Sequence, residues 1–314
     1  MNTIQLSTRI YKRALGYLSY ALCFILLFYS NVFVSFTWVN VITQLVLFIL
    51  VVHIPAYFTK RMSFVDIGWP WGLVAIGVIA FMMGDGYWLR KAIVSGMYLL
   101  AGLRMGLFAV SMYFKGHLRK ELARYEFQRR RWEKGGYKNL DFSLQYEISI
   151  QSFANMTFLA LPAVFQAYNP IPNLSALEIT AYSLWLISLL VEHIADSQKA
   201  RFVKKAYEEG RKGACCDVGL WKYSRHPNYF AEWMVWNALI LSTISSIIYF
   251  YQHEKVVVWA GLSLGVLFIS RLLYQTLVYY TGAIPSEFYS VQKRPQYKAY
   301  QEKTNMFFPG LPKS

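Results

Sequence analysis

Eight apolar stretches, each near the length of a bilayer-crossing helix, recur along the chain at about 15–36, 38–58, 64–83, 92–114, 152–168, 174–195, 229–250 and 256–281. A helix needs roughly 20 predominantly apolar residues to cross the hydrocarbon core, where each backbone N–H and C=O must be satisfied internally. Charged residues make up only 16% of the 314, against roughly a quarter in average soluble domains. The sequence therefore predicts an all-α, polytopic transmembrane helical bundle of about seven or eight spans. The shortest stretch, 152–168, carries Pro162 and also suits a re-entrant segment. The first follows Arg9, Lys12 and Arg13 as a signal peptide would. It is long, lacks a small-x-small cleavage site and runs straight into another span, so it reads as a retained helix.

With the N-terminus inside, nearly all of the 32 Lys and Arg fall in inside segments. The exceptions are Arg90, Lys91 and Lys255 in outside loops and Arg104 and Arg271 within spans. That asymmetry places both termini in the cytoplasm by the positive-inside rule. The net charge of +15 is thereby a statement about topology, and nucleic acid is not an expected partner. Of the three cysteines, Cys23 lies in a span and Cys215 and Cys216 are adjacent in an inside loop. Adjacent cysteines rarely form an unstrained disulfide, so all three are expected as thiols. The five histidines show no ligand spacing, and no metal site is expected.

The chain divides by character into an N-terminal transmembrane half, 1–150, and a C-terminal half, 151–314. The first ends in a basic loop, 115–150, in which Leu118, Leu122 and Tyr125 share a helical face. It is either an interfacial helix on anionic lipid headgroups or a solvated loop that sets topology. The second half has three polar inside segments: "VEHIADSQKARFVKK" (191–205), "GLWKYSRHPNYFAEW" (219–233) and the tail 281–310. Glu192, Asp196 and Lys199 share one face of the first.

The middle segment carries the most chemistry. Pro227 suits the first turn of a helix, because its missing N–H would be unsatisfied there. The free N–H groups of that helix start form an anion site, and Arg225 adds a guanidinium able to grip a phosphate with two hydrogen bonds. Asn228 and Glu232, one turn apart, can hold a ribose hydroxyl or a carboxamide. The blander reading is that Arg225 and His226 reach for headgroups and Tyr229 joins an interfacial aromatic belt. Five such side chains ahead of a proline-initiated helix favour a binding site.

Together with "EHIADSQKARF" and "RPQYKAYQEKTNMFFPGLPK", this stretch resembles the steroid 5-alpha-reductase C-terminal-domain-like family, in its bacterial-type branch. "SFVDIGWPWG" and "GLRMGLF" are weaker marks of the same branch. The resemblance implies a multi-pass enzyme of the bacterial inner membrane, with NADPH entering from the cytoplasm and a lipophilic substrate entering from the bilayer. It implies cofactor contacts from Asp196, Asn228 and Glu232, and a tail tyrosine, Tyr289, near the cofactor. Lys199, Tyr223, Arg225, His226, Tyr229 and Arg294 complete the expected cofactor-binding set. The early Glu–Gln pair of the steroid enzymes is absent, so steroid specificity is not implied.

Reduction of an enone needs a hydride from the nicotinamide and a donor to the carbonyl oxygen. Asp66 and Arg104, with Tyr289, are the candidate catalytic residues, since an arginine at mid-membrane costs about 2.5–3.5 kcal/mol on insertion scales and calls for a partner or a ligand. A structural Asp66–Arg104 ion pair explains them equally well. His53 reads as a packed histidine before it reads as a proton donor. Integral-membrane methyltransferases use a similar "RHPxY" stretch, so S-adenosylmethionine is the alternative cofactor. A lipid-binding or transport role is disfavoured, because no discontinuous-helix signal is evident.

Overall fold

The computed structural model describes residues 3–211 and 213–313, with side chains from Leu15 onward. Among these residues every regular element is helical. The α-helices are α1 (Thr3–Tyr29), α2 (Val34–Thr59), α3 (Met62–Met83), α4 (Trp88–Phe114), α5 (Ala123–Lys134), α6 (Leu140–Met156), α7 (Leu161–Ala167), α8 (Ala176–Glu208), α9 (Pro227–Phe250), α10 (Val256–Gln275), α11 (Ala283–Lys293) and α12 (Tyr297–Lys303). Seven runs are long and apolar enough to cross a membrane: α2, α3, α4, α6 with α7, α8, α9, and α10 continuing into α11. The apolar part of α1, Leu15–Tyr29, is shorter. The first stretch ends sooner than expected because Ser30 stops it: its hydroxyl accepts the Val32 and Phe33 N–H at 3.2 and 2.9 Å and donates to Glu254.

The chain forms two compact units, each drawn from several segments. The first comprises Met1–Leu122, Trp132–Ser175 and Thr243–Ile269, and the second Ala123–Arg131, Ala176–Ser242 and Ser270–Ser314.

Glycines set the closest helix approach in the first unit. A Cβ at Gly102 would lie 2.7 Å from the Pro70 carbonyl oxygen, and one at Gly106 3.0 Å from Trp71 Nε1. "GLRMG" is thus a small-xxx-small face that lets α4 ride against α3. The N-terminus of α3 is closed by Glu121, whose carboxylate accepts the Met62 and Ser63 N–H at 2.7 and 3.1 Å. Negative charge belongs at such an end.

The expected fifth span departs most from a simple helix. It starts at Leu140, breaks at Thr157 (φ −121°, ψ −100°), and resumes as α7 with Pro162 in its first turn. A discontinuous helix is therefore present, contrary to the sequence reading. Broken backbone at membrane depth is tolerated only where protein groups satisfy it. Asn40 Nδ2 donates to the Asn155 and Met156 carbonyls at 3.2 and 3.4 Å. Tyr98 Oη donates to Leu159 O at 2.5 Å. Asn155 in turn donates to Gln44 Oε1 and Trp69 O, and Gln44 donates to Gly72 O at 2.9 Å. Asn40, Gln44 and Asn155 are all fully buried. This network gives partners to the carbonyls of Asn155, Met156 and Leu159 at the break, while Asn155 Oδ1 is buried without one.

Leu118 and Tyr125 of the basic loop are buried in protein, the first in the turn before α5 and the second on α5. Arg90, expected in an outside loop, is 1% exposed and gathers the carbonyls of Asn169, Ile171 and Asn173. His53 is packed as the blander reading held, with Nδ1 2.6 Å from Gln145 Oε1.

Gly72 tests the buried network. A Cβ there would stand 2.0 Å from Asn155 Nδ2 and 2.5 Å from Gln44 Oε1. Gly72→Ala should lower stability in detergent by about 1–3 kcal/mol for each buried polar group it orphans. Gly96→Ala, with nothing within 4 Å of the new Cβ, should be neutral or mildly stabilising; the unfolding midpoints of the two variants make the comparison.

Candidate functional site

The polar segments of the second unit fold onto one buried ion pair. Glu287, on α11, accepts from Arg225 Nε at 2.7 Å and from Nη2 at 3.1 Å, a two-pronged grip. Arg225 Nη1 donates to the carbonyls of Gln301, at 3.0 Å, and Thr304. Gln301 Nε2 donates to Glu287 Oε2 at 2.6 Å. The guanidinium expected to grip a phosphate is therefore turned inward, with Arg225 8% exposed. It fastens the tail to the α9 mouth.

His226 shares that carboxylate, its Nε2 donating to Glu287 Oε1 at 3.1 Å, and its ring stacks on Tyr229 with centroids 5.3 Å apart. Burial lowers its pKa below the ordinary 6.5, outweighing the opposing pull of Glu287. The carboxylate is already matched by Arg225, so the imidazole can stay neutral.

Around this pair the tail is laced to 219–226. The Arg225 N–H donates to Asn305 O at 2.9 Å, Gly310 N–H to Tyr223 O at 3.0 Å, and Ser224 Oγ to Phe307 O at 2.9 Å. Tyr300 Oη donates to Trp221 O. Burial raises the Tyr297 and Tyr300 phenols and the Cys215 and Cys216 thiols, so all four stay protonated. The cysteines are free thiols. Gly219 is required twice over: its φ is +59°, and a Cβ would lie 2.5 Å from Gln198 Oε1, which accepts the Leu220 N–H at 2.9 Å.

Helix α9 begins at Pro227, as its chemistry predicts. One residue on, Asn228 Nδ2 donates to Asp196 Oδ1 of α8 at 3.0 Å, while Asn228 Oδ1 is shut from solvent with no hydrogen-bond partner. Glu232 lies one turn further along, half-buried. Beside Asp196 an open groove of about 630 Å³ runs over α8, lined by Asp196, Lys199, Ala200, Val203, Lys204 and Tyr207. The Lys199 ammonium sits 4.2 Å from the Trp221 ring centroid and feels the charges of both Arg294 and Asp196. Among the described residues neither Lys199 nor Arg294 forms a carboxylate ion pair.

Asp196 and Asn228 thus lie together, with Lys199 one turn along α8, while Arg225 and His226 belong to the buried knot on Glu287. Tyr223 is exposed and contributes its carbonyl. Tyr289 is engaged elsewhere, with the Arg130 and Lys293 cations each 5.9 Å from its ring. Asp66, in the first turn of α3, and Arg104, between Gly102 and Gly106 of α4, belong to the first unit. The sequence reading missed Glu287 and the groove residues Lys204 and Tyr207. Glu287 was detectable as the one carboxylate in "AIPSEFYS". The others emerge only when α8 is seen to continue to Glu208.

The fold defines a multi-pass helical membrane protein. The chain belongs to the family described as "Protein of unknown function (DUF1295)", whose model matches residues 52–304. It is 25% identical over 276 residues to "Uncharacterized protein C594.04c" of Schizosaccharomyces pombe, covering 81% of this chain and 74% of that one. No solved structure matches the chain.

Removing Glu287 would leave the Arg225 charge buried and unpaired, which typically costs about 3–5 kcal/mol. Glu287→Ala should therefore lower the unfolding midpoint sharply, and the double variant Arg225→Met/Glu287→Leu should recover part of the loss. For His226 the fold favours the neutral form, so the unfolded chain takes up the proton more readily. Its contribution to stability is full above about pH 6.5 and declines as the pH falls below that value. Melting curves from pH 7.5 to pH 5.5 should show a drop that is smaller in His226→Gln.

Proposed function

We propose that this chain is a membrane-embedded, NADPH-dependent reductase of a carbon–carbon double bond in a lipophilic, enone- or isoprenoid-like substrate. The observation that carries the reading is the orphaned amide oxygen of Asn228. An ionised Asp196 can only accept, so it fixes the Asn228 amide with its NH₂ toward the carboxylate. The buried Oδ1 is then an acceptor without a donor, a state that costs about 1–3 kcal/mol unless a ligand supplies an N–H or O–H. A nicotinamide carboxamide supplies one.

Among the described residues Lys199 and Arg294 form no carboxylate ion pair, and such cations suit the phosphates of a dinucleotide. Membership of a family that includes steroid 5-alpha-reductase-like members points the same way. When bound, NADPH supplies a hydride, which with one proton reduces the double bond. Asn228, Asp196 and Glu232 would hold the nicotinamide ribose and carboxamide. Tyr229 and His226 would shape the mouth, with Tyr223 at its rim. The bilayer is the route by which an apolar substrate would arrive.

The second reading is an S-adenosylmethionine-dependent methyltransferase acting on a lipid or prenylated substrate. That ligand can also donate to Asn228 Oδ1. It carries no phosphate, however, and its sulfonium would sit near the Lys199 cation, which favours the dinucleotide.

Titrating detergent-purified protein with NADPH and S-adenosylmethionine in parallel separates the two. A ligand specific to the folded state raises stability by about 2.7 kcal/mol at a hundredfold excess over Kd. NADPH should stabilise the wild type, and Asn228→Ala should weaken it about tenfold or more, the value of a lost hydrogen bond in a charged setting. Stabilisation by S-adenosylmethionine alone would overturn the reductase reading.

A further inference from the structure

The turn that follows α4 is built with its apolar residue inside and its charges outside. Gly116 takes a left-handed conformation, φ +77°, and the chain then closes a short 3₁₀ turn over His117–Arg119. Leu118 is buried, and its carbonyl accepts from Arg61 Nη1 at 2.5 Å. Glu121 holds the Met62 and Ser63 N–H groups and the Ser63 hydroxyl, and Leu122 N–H donates back to Ser63 Oγ at 3.0 Å. The turn is thus fastened to the start of α3. Lys115, His117, Arg119 and Lys120 are left on its outer side, all exposed. Among the described residues none of the four forms an ion pair. The acids within reach are already engaged: Glu121 by α3, and Asp141 by Lys60 at 2.8 Å.

The depth of this turn says what it meets. Helix α4 has 27 residues. It is therefore about 40 Å long, against about 40–45 Å for a bilayer with its headgroups. Its ends carry the exposed rings of Trp88 and Phe114, the latter 79% exposed. Tyr113 beside it, and Tyr57 and Phe58 in the last turn of α2, are exposed as well. Aromatic side chains gather in this way at the level of the headgroups. Lys115 follows Phe114 directly, so the basic turn stands where lipid phosphates lie. Uncompensated positive charge next to exposed rings fits a ligand that is anionic at one end and apolar at the other. A nucleic acid or an acidic protein offers nothing to the rings.

We propose that the turn Lys115–Lys120 is a docking site for the headgroup of an anionic phospholipid. Lys115, Arg119 and Lys120 supply the charge that meets its phosphate, and its acyl chains run down beside Phe114. The face that the sequence laid on headgroups, centred on Leu118, is then the reverse of the one that meets them. Leu118 anchors the turn in the protein, and the bases on either side of it face the lipid. Because Arg61 and Glu121 already hold the turn, little order has to be imposed on binding.

The test uses the full chain in mixed micelles. Native mass spectrometry measures the retention of phosphatidylglycerol against phosphatidylcholine with the same acyl chains. A cation near an anionic surface is worth about fivefold, so the wild type should prefer phosphatidylglycerol by about tenfold or more. Lys115→Gln/Arg119→Gln/Lys120→Gln should bring that preference close to unity. Lys298→Gln/Lys303→Gln/Lys313→Gln removes the same charge from exposed tail positions and should preserve it, as should the swap Lys115→Arg/Arg119→Lys/Lys120→Arg. All these side chains are exposed, so melting curves without added lipid should match that of the wild type. Should the first triple variant misfold, Arg119→Gln and Lys120→Gln singly should each cost about fivefold. No preference in the wild type, or an equal loss in the turn and tail triples, overturns the site. Glycerol phosphate, a headgroup without chains, should not displace the lipid at equal concentration; displacement would make this a site for a free phosphate ester and overturn the lipid assignment.

Discussion

The buried pair of Arg225 and Glu287 is the point on which the second unit depends. Its two hydrogen bonds join the α9 mouth to α11, and the remaining guanidinium donors take carbonyls from the last turns of the tail. Two charges withdrawn from water are stable only when their partners are complete, and here Gln301 and His226 complete the carboxylate. Because that knot fixes residues 224–226, Pro227 can start α9 at a defined place. Asn228 is then held beside Asp196, with its oxygen left over. The residues that look most like ligand-binding groups in the sequence thus divide into a fastening set, Arg225 and His226, and a set outside that knot, Asp196, Lys199, Asn228 and Arg294.

The first unit solves a different problem with the same economy. Its helices approach through glycine faces, and the broken segment between α6 and α7 is sealed by Asn40, Gln44 and Asn155. All three amides are buried where water cannot help, so each bond removes a cost that would otherwise stand against folding.

Much of this was legible in the chain. Apolar run length located the spans, and the proline rule placed the start of α9 at the right residue. The shared face of Asp196 and Lys199 followed from helical spacing. The role of Arg225 was not legible, because a phosphate grip and a bidentate carboxylate partner use the same geometry, and Glu287 stands 62 residues away in sequence. The helix break was hidden for a similar reason. "SFANMTFLALPAVF" contains no glycine and keeps its apolar character throughout, so only the distant amides of Asn40 and Gln44 make a break affordable. The end of α1 was the reverse case: Ser30 and Asn31 were in plain view, but the apolar residues on both sides carried the expected span through them.

The central claim is that NADPH binds with its nicotinamide at the mouth of α9, against Asn228. Hydrogen–deuterium exchange of the detergent-solubilised chain, with and without saturating NADPH, tests it most directly. The account predicts slowed exchange confined mainly to the neighbourhood of Asp196 and to residues 224–232, with the α3 and α4 amides unchanged. No change on adding NADPH, or the same protection produced by S-adenosylmethionine in its place, would contradict it.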